Sequence, residues 1–98
     1  MDDNQTRTCI QDHADAVVRG DMDAILEDFA PDLRPQVPQI AQVLPQPVNS
    51  AEVLGIDAGE EESTSTIRYA GEADAVTIRA SWREVEGRPR IVNAEPVS

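Results

Sequence analysis

The most suggestive chemical pair in the sequence is Cys9 and His13. Their spacing of four residues places both side chains on one helical face, where they could form a thiolate–imidazole dyad or half of a metal site. Because no third ligand or orienting group follows from the spacing, the favoured interpretation is an ordinary helix edge. His13 stays a weak catalytic candidate, acting as acid and base with a nearby Asp. We predict no metal site and no cofactor.

Two groups of acidic residues are further candidates. Asp21 and Asp23 could act as paired carboxylates, but a helix cap and a first-turn charge explain both. The three glutamates at residues 60–62 could bind a divalent cation weakly. Since consecutive side chains in a turn point apart, we favour a solvated hairpin tip.

Three arginines provide the last candidate. Arg79 and Arg83 share a strand face, and Arg68 is expected on the matching face of the neighbouring strand. Together they could form a small anion site. Cross-strand ion pairing with Glu95 and other acids is the favoured interpretation.

Composition excludes several classes of function. The 98 residues include 8 arginines, no lysine and 19 acidic residues, for a net charge of -11. This balance argues against binding to nucleic acid or to an anionic membrane surface. The single cysteine excludes an internal disulfide. We see neither a secretory signal nor a stretch approaching the ~20 apolar residues of a membrane span, so we expect a cytoplasmic protein with one domain over residues 1–98.

The first half of the chain predicts two or three helices. Apolar residues recur at helical spacing over residues 10–18, and Gly20 ends this helix. A second apolar stripe over residues 22–29 follows Asp21, which can cap it. A third stripe predicts a helix over residues 33–44, with prolines tolerated only in its first turn.

The second half predicts four strands, over residues 51–58, 63–70, 75–85 and 90–97, because the apolar period changes from helical spacing to two. Short turns between the strands imply an antiparallel meander. The predicted fold class is therefore α+β, with the helices packed on one face of a curved four-stranded antiparallel sheet.

The last hairpin allows two registers. A two-residue loop at residues 86–87 would place Arg83 opposite Arg90, which is unfavourable because like charges repel. We therefore prefer a loop that is longer by one residue. That register pairs Glu84 with Arg90, Arg79 with Glu95 and Trp82 with Val92.

Two segments resemble a known family. Residues 13–32, HADAVVRGDMDAILEDFAPD, closely resemble the opening of nuclear transport factor 2-like, or SnoaL-like, domains. In these domains one helix ends in Gly-Asp-x-Asp and a second, short helix ends in an acidic turn. Residues 82–92, WREVEGRPRIV, resemble the final hairpin of the family. The resemblance covers about half of the chain, which is shorter than usual and has a proline-rich third helix in place of an early strand pair.

The resemblance implies a cone-shaped domain with a pocket between helices and sheet, and homodimers formed across the outer sheet face. The family includes ketosteroid-isomerase-like and polyketide-cyclase-like enzymes, and pocketed proteins of unassigned role. Its isomerases carry a catalytic Asp before a Pro, and the matching position here is Val37 before Pro38. A valine cannot transfer a proton, so no catalytic residue is carried over.

The leading prediction is a dimeric nuclear transport factor 2-like domain, non-catalytic or of unassigned activity, with a pocket for a small apolar molecule. Its pocket would be lined by Phe29, Leu44, Tyr69, Ile78 and Trp82, although such rings in a small domain are more often plain core.

Two alternatives stay open. The first is a small isomerase or cyclase-type enzyme that uses His13 as acid and base, which predicts an imidazole pointing into a cavity. The second is a protein–protein interaction module, which predicts an apolar strip on the outer sheet face around Thr77, Ser81 and Val85.

Overall fold

A computed structural model of the chain describes residues 2–97. The helical half contains α1 (Asp3–Arg19), α2 (Met22–Asp28), a 3-10 segment (Pro31–Gln36) and α3 (Val37–Ala41). The strands are β1 (Ser50–Asp57), β2 (Glu62–Ala70), β3 (Ala75–Val85) and β4 (Arg88–Pro96). They form one antiparallel sheet in the order β1-β2-β3-β4. This architecture confirms the predicted α+β class and the meander.

The junction between the first two helices lies at the predicted signals. Gly20 ends α1 with a left-handed φ of 71°, a conformation that glycine adopts without steric cost. The Asp21 side chain then accepts a hydrogen bond from the Ala24 amide at 3.3 Å and caps α2. Asp21 is therefore a helix cap, as the favoured interpretation held.

The third helix differs from its prediction. In place of one helix over residues 33–44, the chain forms the 3-10 segment and then α3, which is only five residues long. Pro35 lies inside the 3-10 segment and Pro38 lies in the first turn of α3. Neither proline has an amide hydrogen to donate, so a regular α-helical ladder cannot run through this stretch. The predicted single helix is wrong.

The last hairpin adopts the register that charge alone disfavoured. Glu86 and Gly87 both have positive φ, 55° and 86°, as a two-residue type I′ turn requires. Arg83 consequently lies opposite Arg90, and the predicted Glu84–Arg90 and Trp82–Val92 pairs are wrong. A bulge between Ser81 and Trp82 then shifts the register by one residue.

Beyond the bulge the predicted pair of Arg79 with Glu95 is confirmed, with Nη2 and Oε1 3.1 Å apart. The repulsion between Arg83 and Arg90 is avoided because the two side chains turn away from each other. Arg83 donates to Glu62 on β2 at 3.1 Å, whereas Arg90 donates to the backbone carbonyls of Val85 and Glu27.

The two faces of the sheet differ in polarity. The inner face contributes the buried side chains of Ile67, Tyr69, Ile78, Trp82 and Ile91, which the helices cover. Outward positions on β2 and β3 are occupied by threonine, serine and arginine, and the Arg79–Glu95 and Arg83–Glu62 ion pairs lie there. Within residues 2–97, no helix is long and apolar enough to cross a membrane.

Candidate functional site

A cavity lies between the helices and the inner face of the sheet. The space open to the centres of water-sized spheres is about 70 Å³, whereas a single water needs only about 10–15 Å³ on this measure. Sixteen residues line the cavity, and all but His13, Ser65 and Tyr69 are apolar. Its dimensions and walls suit a small, mainly apolar organic molecule.

Four of the five predicted pocket residues line this cavity: Phe29, Leu44, Tyr69 and Ile78. Trp82 does not face it. The indole is completely buried, and its Nε1 donates a hydrogen bond to Ser65 Oγ at 2.9 Å. Trp82 therefore belongs to the packed core beside the cavity, where a buried indole N–H needs a partner.

His13 lies on the cavity wall with only 6% of its surface exposed. Its ring packs edge-to-face against Phe29 and Trp82, with centroids 5.9 Å and 5.7 Å away. The first alternative function predicts this orientation, an imidazole that faces a cavity and not bulk water.

The imidazole is held from behind by a buried carboxylate. His13 Nδ1 lies 3.0 Å from Asp28 Oδ2, and Asp28 is 7% exposed. The other carboxylate oxygen, Oδ1, accepts a hydrogen bond from Arg88 Nη2 at 2.5 Å. The guanidinium compensates a carboxylate charge that would be costly to bury alone. We call His13, Asp28 and Arg88 the polar trio.

The polar trio fixes the tautomer of the ring. Because the Asp28 carboxylate only accepts hydrogen bonds, the proton of a neutral His13 is assigned to Nδ1. The lone pair of Nε2 is then available as a hydrogen-bond acceptor or a base.

Tyr69 supplies the second polar group on the wall. Burial raises the pKa of the Tyr69 hydroxyl well above its ordinary value of 10.0, and the charge of Asp28 acts in the same direction. The hydroxyl therefore stays protonated at neutral pH and can donate a hydrogen bond.

Two of the three polar side chains on the wall, His13 and Tyr69, have unused hydrogen-bonding capacity. Within residues 2–97, neither His13 Nε2 nor the Tyr69 hydroxyl has a hydrogen-bond partner. In the same part of the chain, no fully buried side-chain nitrogen or oxygen is left without one. The two atoms therefore retain accessible surface, which the cavity provides.

The sequence prediction did not identify Asp28 and Arg88. It named only a nearby Asp as the partner of His13, and the two aspartates that flank it in the sequence, Asp12 and Asp15, are both exposed. Asp28 is 15 residues from His13, and Arg88 is 60 residues from Asp28. One signal was available: Asp28 directly precedes Phe29 at the edge of the apolar stripe of α2, where a carboxylate needs a partner.

Cys9 and His13 do not form a dyad, in line with the favoured interpretation, and His13 Nδ1 pairs with Asp28 instead. Burial is the largest influence on the Cys9 thiol and raises its pKa from 9.0; Asp28 and Asp12 add to the rise, and Arg88 opposes it. The thiol is therefore protonated at neutral pH and is a poor nucleophile or metal ligand.

The remaining candidate residues from the sequence do not form a metal or catalytic site in the part of the chain that the structure describes. Within residues 2–97, no three His, Cys, Asp or Glu side chains lie together as metal ligands. Of the glutamate run, Glu62 pairs with Arg83. Val37, where the family resemblance implies a catalytic Asp, lies on the cavity wall and is almost completely buried.

Comparisons with known proteins give little beyond the fold. No family model matches the sequence, and no curated protein shows significant similarity to it. Among solved structures, the chain is similar to the solution structure of a SEC-C motif containing protein from Rhodopseudomonas palustris, with a TM-score of 0.65 and 20% identity. The match covers 92% of this chain and 77% of that one.

Proposed function

We propose that this protein binds a small, largely apolar molecule in the cavity between its helices and the inner face of its sheet. The observation that supports this proposal is the cavity itself, which has about 70 Å³ of accessible space and only three polar residues among the sixteen that line it. A ligand of about six non-hydrogen atoms, at roughly 0.7 kcal/mol for each atom, would bind with a Kd near 1 mM.

The test is a titration with cyclopentane, followed through the methyl NMR signals of Ile67, Ile78 and Ile91. All three residues line the cavity, so their signals should shift in a saturable manner. Ala94→Leu places a larger side chain on the cavity wall and should weaken binding at least fivefold. Ala75→Leu, at an exposed position on the neighbouring strand, should leave binding unchanged. If the three methyl signals of the unmodified protein do not shift on addition of cyclopentane, the proposal is overturned.

A second candidate function is acid–base catalysis, because His13 faces the cavity and is held by Asp28. In this reaction Nε2 removes a proton from a carbon next to a ketone carbonyl. The electron pair of the broken C–H bond moves to the carbonyl oxygen, which accepts a hydrogen bond from Tyr69. Return of a proton from Nε2 to carbon completes an isomerisation or an exchange.

Exchange of deuterium from solvent into cyclopentanone tests this candidate without knowledge of the natural substrate. Exchange should exceed the buffer rate and fall at least tenfold in Asp28→Asn, because the amide no longer orients a basic imidazole. Asp12→Asn removes an exposed carboxylate of α1 and serves as the matched control. A rate equal to that of buffer would eliminate proton transfer and leave the binding proposal intact.

We also propose that the chain is a shortened nuclear transport factor 2-like protein, forms homodimers and is located in the cytoplasm. The sequence resemblance at both ends supports the family, as do the helices, the antiparallel sheet and the cavity between them. Light scattering at high protein concentration tests the dimer. The interaction-module alternative needs an apolar strip on the outer sheet face. Thr77, Ser81 and Val85 are half-buried there, but arginines occupy positions 79 and 83 between them, so the strip is not continuously apolar.

A further inference from the structure

Resting on the proposed function, we infer that the ligand is an alcohol whose hydroxyl group is held by both His13 and Tyr69. Of the three polar side chains on the wall, Ser65 is completely buried and already accepts a hydrogen bond from Trp82. The other two offer one acceptor, Nε2 of a neutral His13, and one donor, the Tyr69 hydroxyl. A ligand hydroxyl donates one hydrogen bond and accepts another. It therefore satisfies both groups at once.

Other headgroups match this pair less well. A ketone oxygen only accepts, so it pairs with Tyr69 and leaves Nε2 without a donor. A carboxylate also lacks a donor, and moving its charge into an apolar cavity costs far more than moving a neutral group. The fixed tautomer of His13 therefore selects for a ligand that carries its own proton on oxygen.

His13 and Tyr69 both lie on the cavity wall, and both interact with the same carboxylate. Asp28 contacts His13 directly, and its charge also acts on Tyr69. The wall is otherwise almost entirely apolar, and it includes the half-exposed Met22 and the partly exposed Ile25 and Leu44. The two polar side chains therefore orient the ligand by its hydroxyl, and its hydrocarbon part packs against the apolar side chains of the wall.

The experiment compares four ligands of one ring size: cyclopentanol, cyclopentanone, cyclopentanecarboxylate and cyclopentane. Cyclopentanol should bind about tenfold more tightly than cyclopentanone, since it makes one additional hydrogen bond to a buried partner. The carboxylate should not bind measurably. The chain contains a single histidine, so the ¹⁵N signal of Nε2 reports directly on the contact and should shift with the alcohol but not with cyclopentane.

Two variants separate the contributions of the two side chains. Tyr69→Phe removes only the hydroxyl and should weaken cyclopentanol about fivefold while leaving cyclopentane unchanged. His13→Phe keeps an aromatic ring beside Phe29 and Trp82 and should abolish the preference for alcohol over ketone. Tyr69→Phe alone suffices if the His13 variant does not fold.

The outcomes distinguish this inference from the proposed function. Equal affinity for alcohol and ketone, an unmoved Nε2 signal, or unchanged alcohol binding in Tyr69→Phe each overturns the inference. If cyclopentane still binds in those cases, the apolar binding function stands. If none of the four ligands binds, both fail.

Discussion

The two ends of the helix–sheet interface are packed very differently. At the closed end, which we define by Ile10, Trp82 and Pro89, the side chains are completely buried and do not line the cavity. At the open end, defined by Met22, Ile25 and Leu44, the side chains are partly or half exposed and surround the cavity. His13 lies between them, with its ring against Trp82 and its surface on the cavity.

The difference shows how a small domain can combine stability with a binding site. The completely buried side chains of the closed end contribute burial that stabilises a chain of this size. The other end can then stay incompletely filled without unfolding the domain. Within the polar trio, His13 packs against the closed end through Trp82, and the buried Asp28 holds it there.

The largest expected effect comes from Trp82→Ala. Removal of a completely buried indole should lower the free energy of unfolding by about 3–5 kcal/mol, from lost burial and the cavity left behind. Leu44→Ala, at the open end, should cost only about 1 kcal/mol because the site is already partly exposed to water. Urea unfolding followed by circular dichroism measures both. Equal losses at the two positions would contradict the contrast between the ends.

The next effect concerns the polar trio. Asp28→Asn removes the charge that pairs with Arg88. It also leaves a single amide oxygen where two carboxylate oxygens accept from His13 and Arg88, so it should destabilise the fold by about 2–3 kcal/mol. Asp12→Asn on the exposed side of α1 should change stability by less than about 0.5 kcal/mol. Chemical denaturation of both variants at neutral pH makes the comparison. A loss in Asp28→Asn no greater than in the control would show that the buried network is not stabilising.

Most of the helices and strands could be predicted from the sequence because the signals that define them are local. Period-two alternation gave the bounds of β3, residues 75–85, without error, and Gly20 and Asp21 marked the junction of the first two helices. The third helix was misjudged because two prolines favour a 3-10 segment over a continuous helix. The hairpin was misjudged because cross-strand charge was weighed above the turn, whereas the turn conformation sets the register.

The site was only partly predictable, because its parts lie far apart in the sequence. The apolar walls followed from the inward faces of predicted helices and strands, which is why Phe29, Tyr69 and Ile78 were found. The polar trio joins α1, the end of α2 and the start of β4. No periodicity in one segment reports such a contact, and only the assembled fold brings the three side chains together.

The smallest predicted effect, for a change of one pH unit, is a pH dependence of the free energy of unfolding. It tests whether water reaches the Tyr69 hydroxyl on the cavity wall. The pKa of Tyr69 is raised above 10.0 in the folded state, so between pH 10 and the folded pKa the unfolded chain loses its proton first. The contribution of Tyr69 to the free energy of unfolding is fully present below pH 10. It is lost as the pH rises, by up to about 1.4 kcal/mol for each pH unit. Urea unfolding at several alkaline pH values measures this slope.

The composition of the chain simplifies the assignment of this alkaline pH dependence to Tyr69. The chain has one tyrosine, one cysteine and no lysine, so few other groups titrate near pH 10. Cys9 has a raised pKa and contributes a slope of the same sign from about pH 9, which Cys9→Ser removes. Tyr69→Phe in that background should abolish the remaining slope. If the folded protein instead shows a phenolate absorbance titrating at 10.0, water reaches Tyr69 freely through the open end, and the contrast between a dry and a wet end would have to be abandoned.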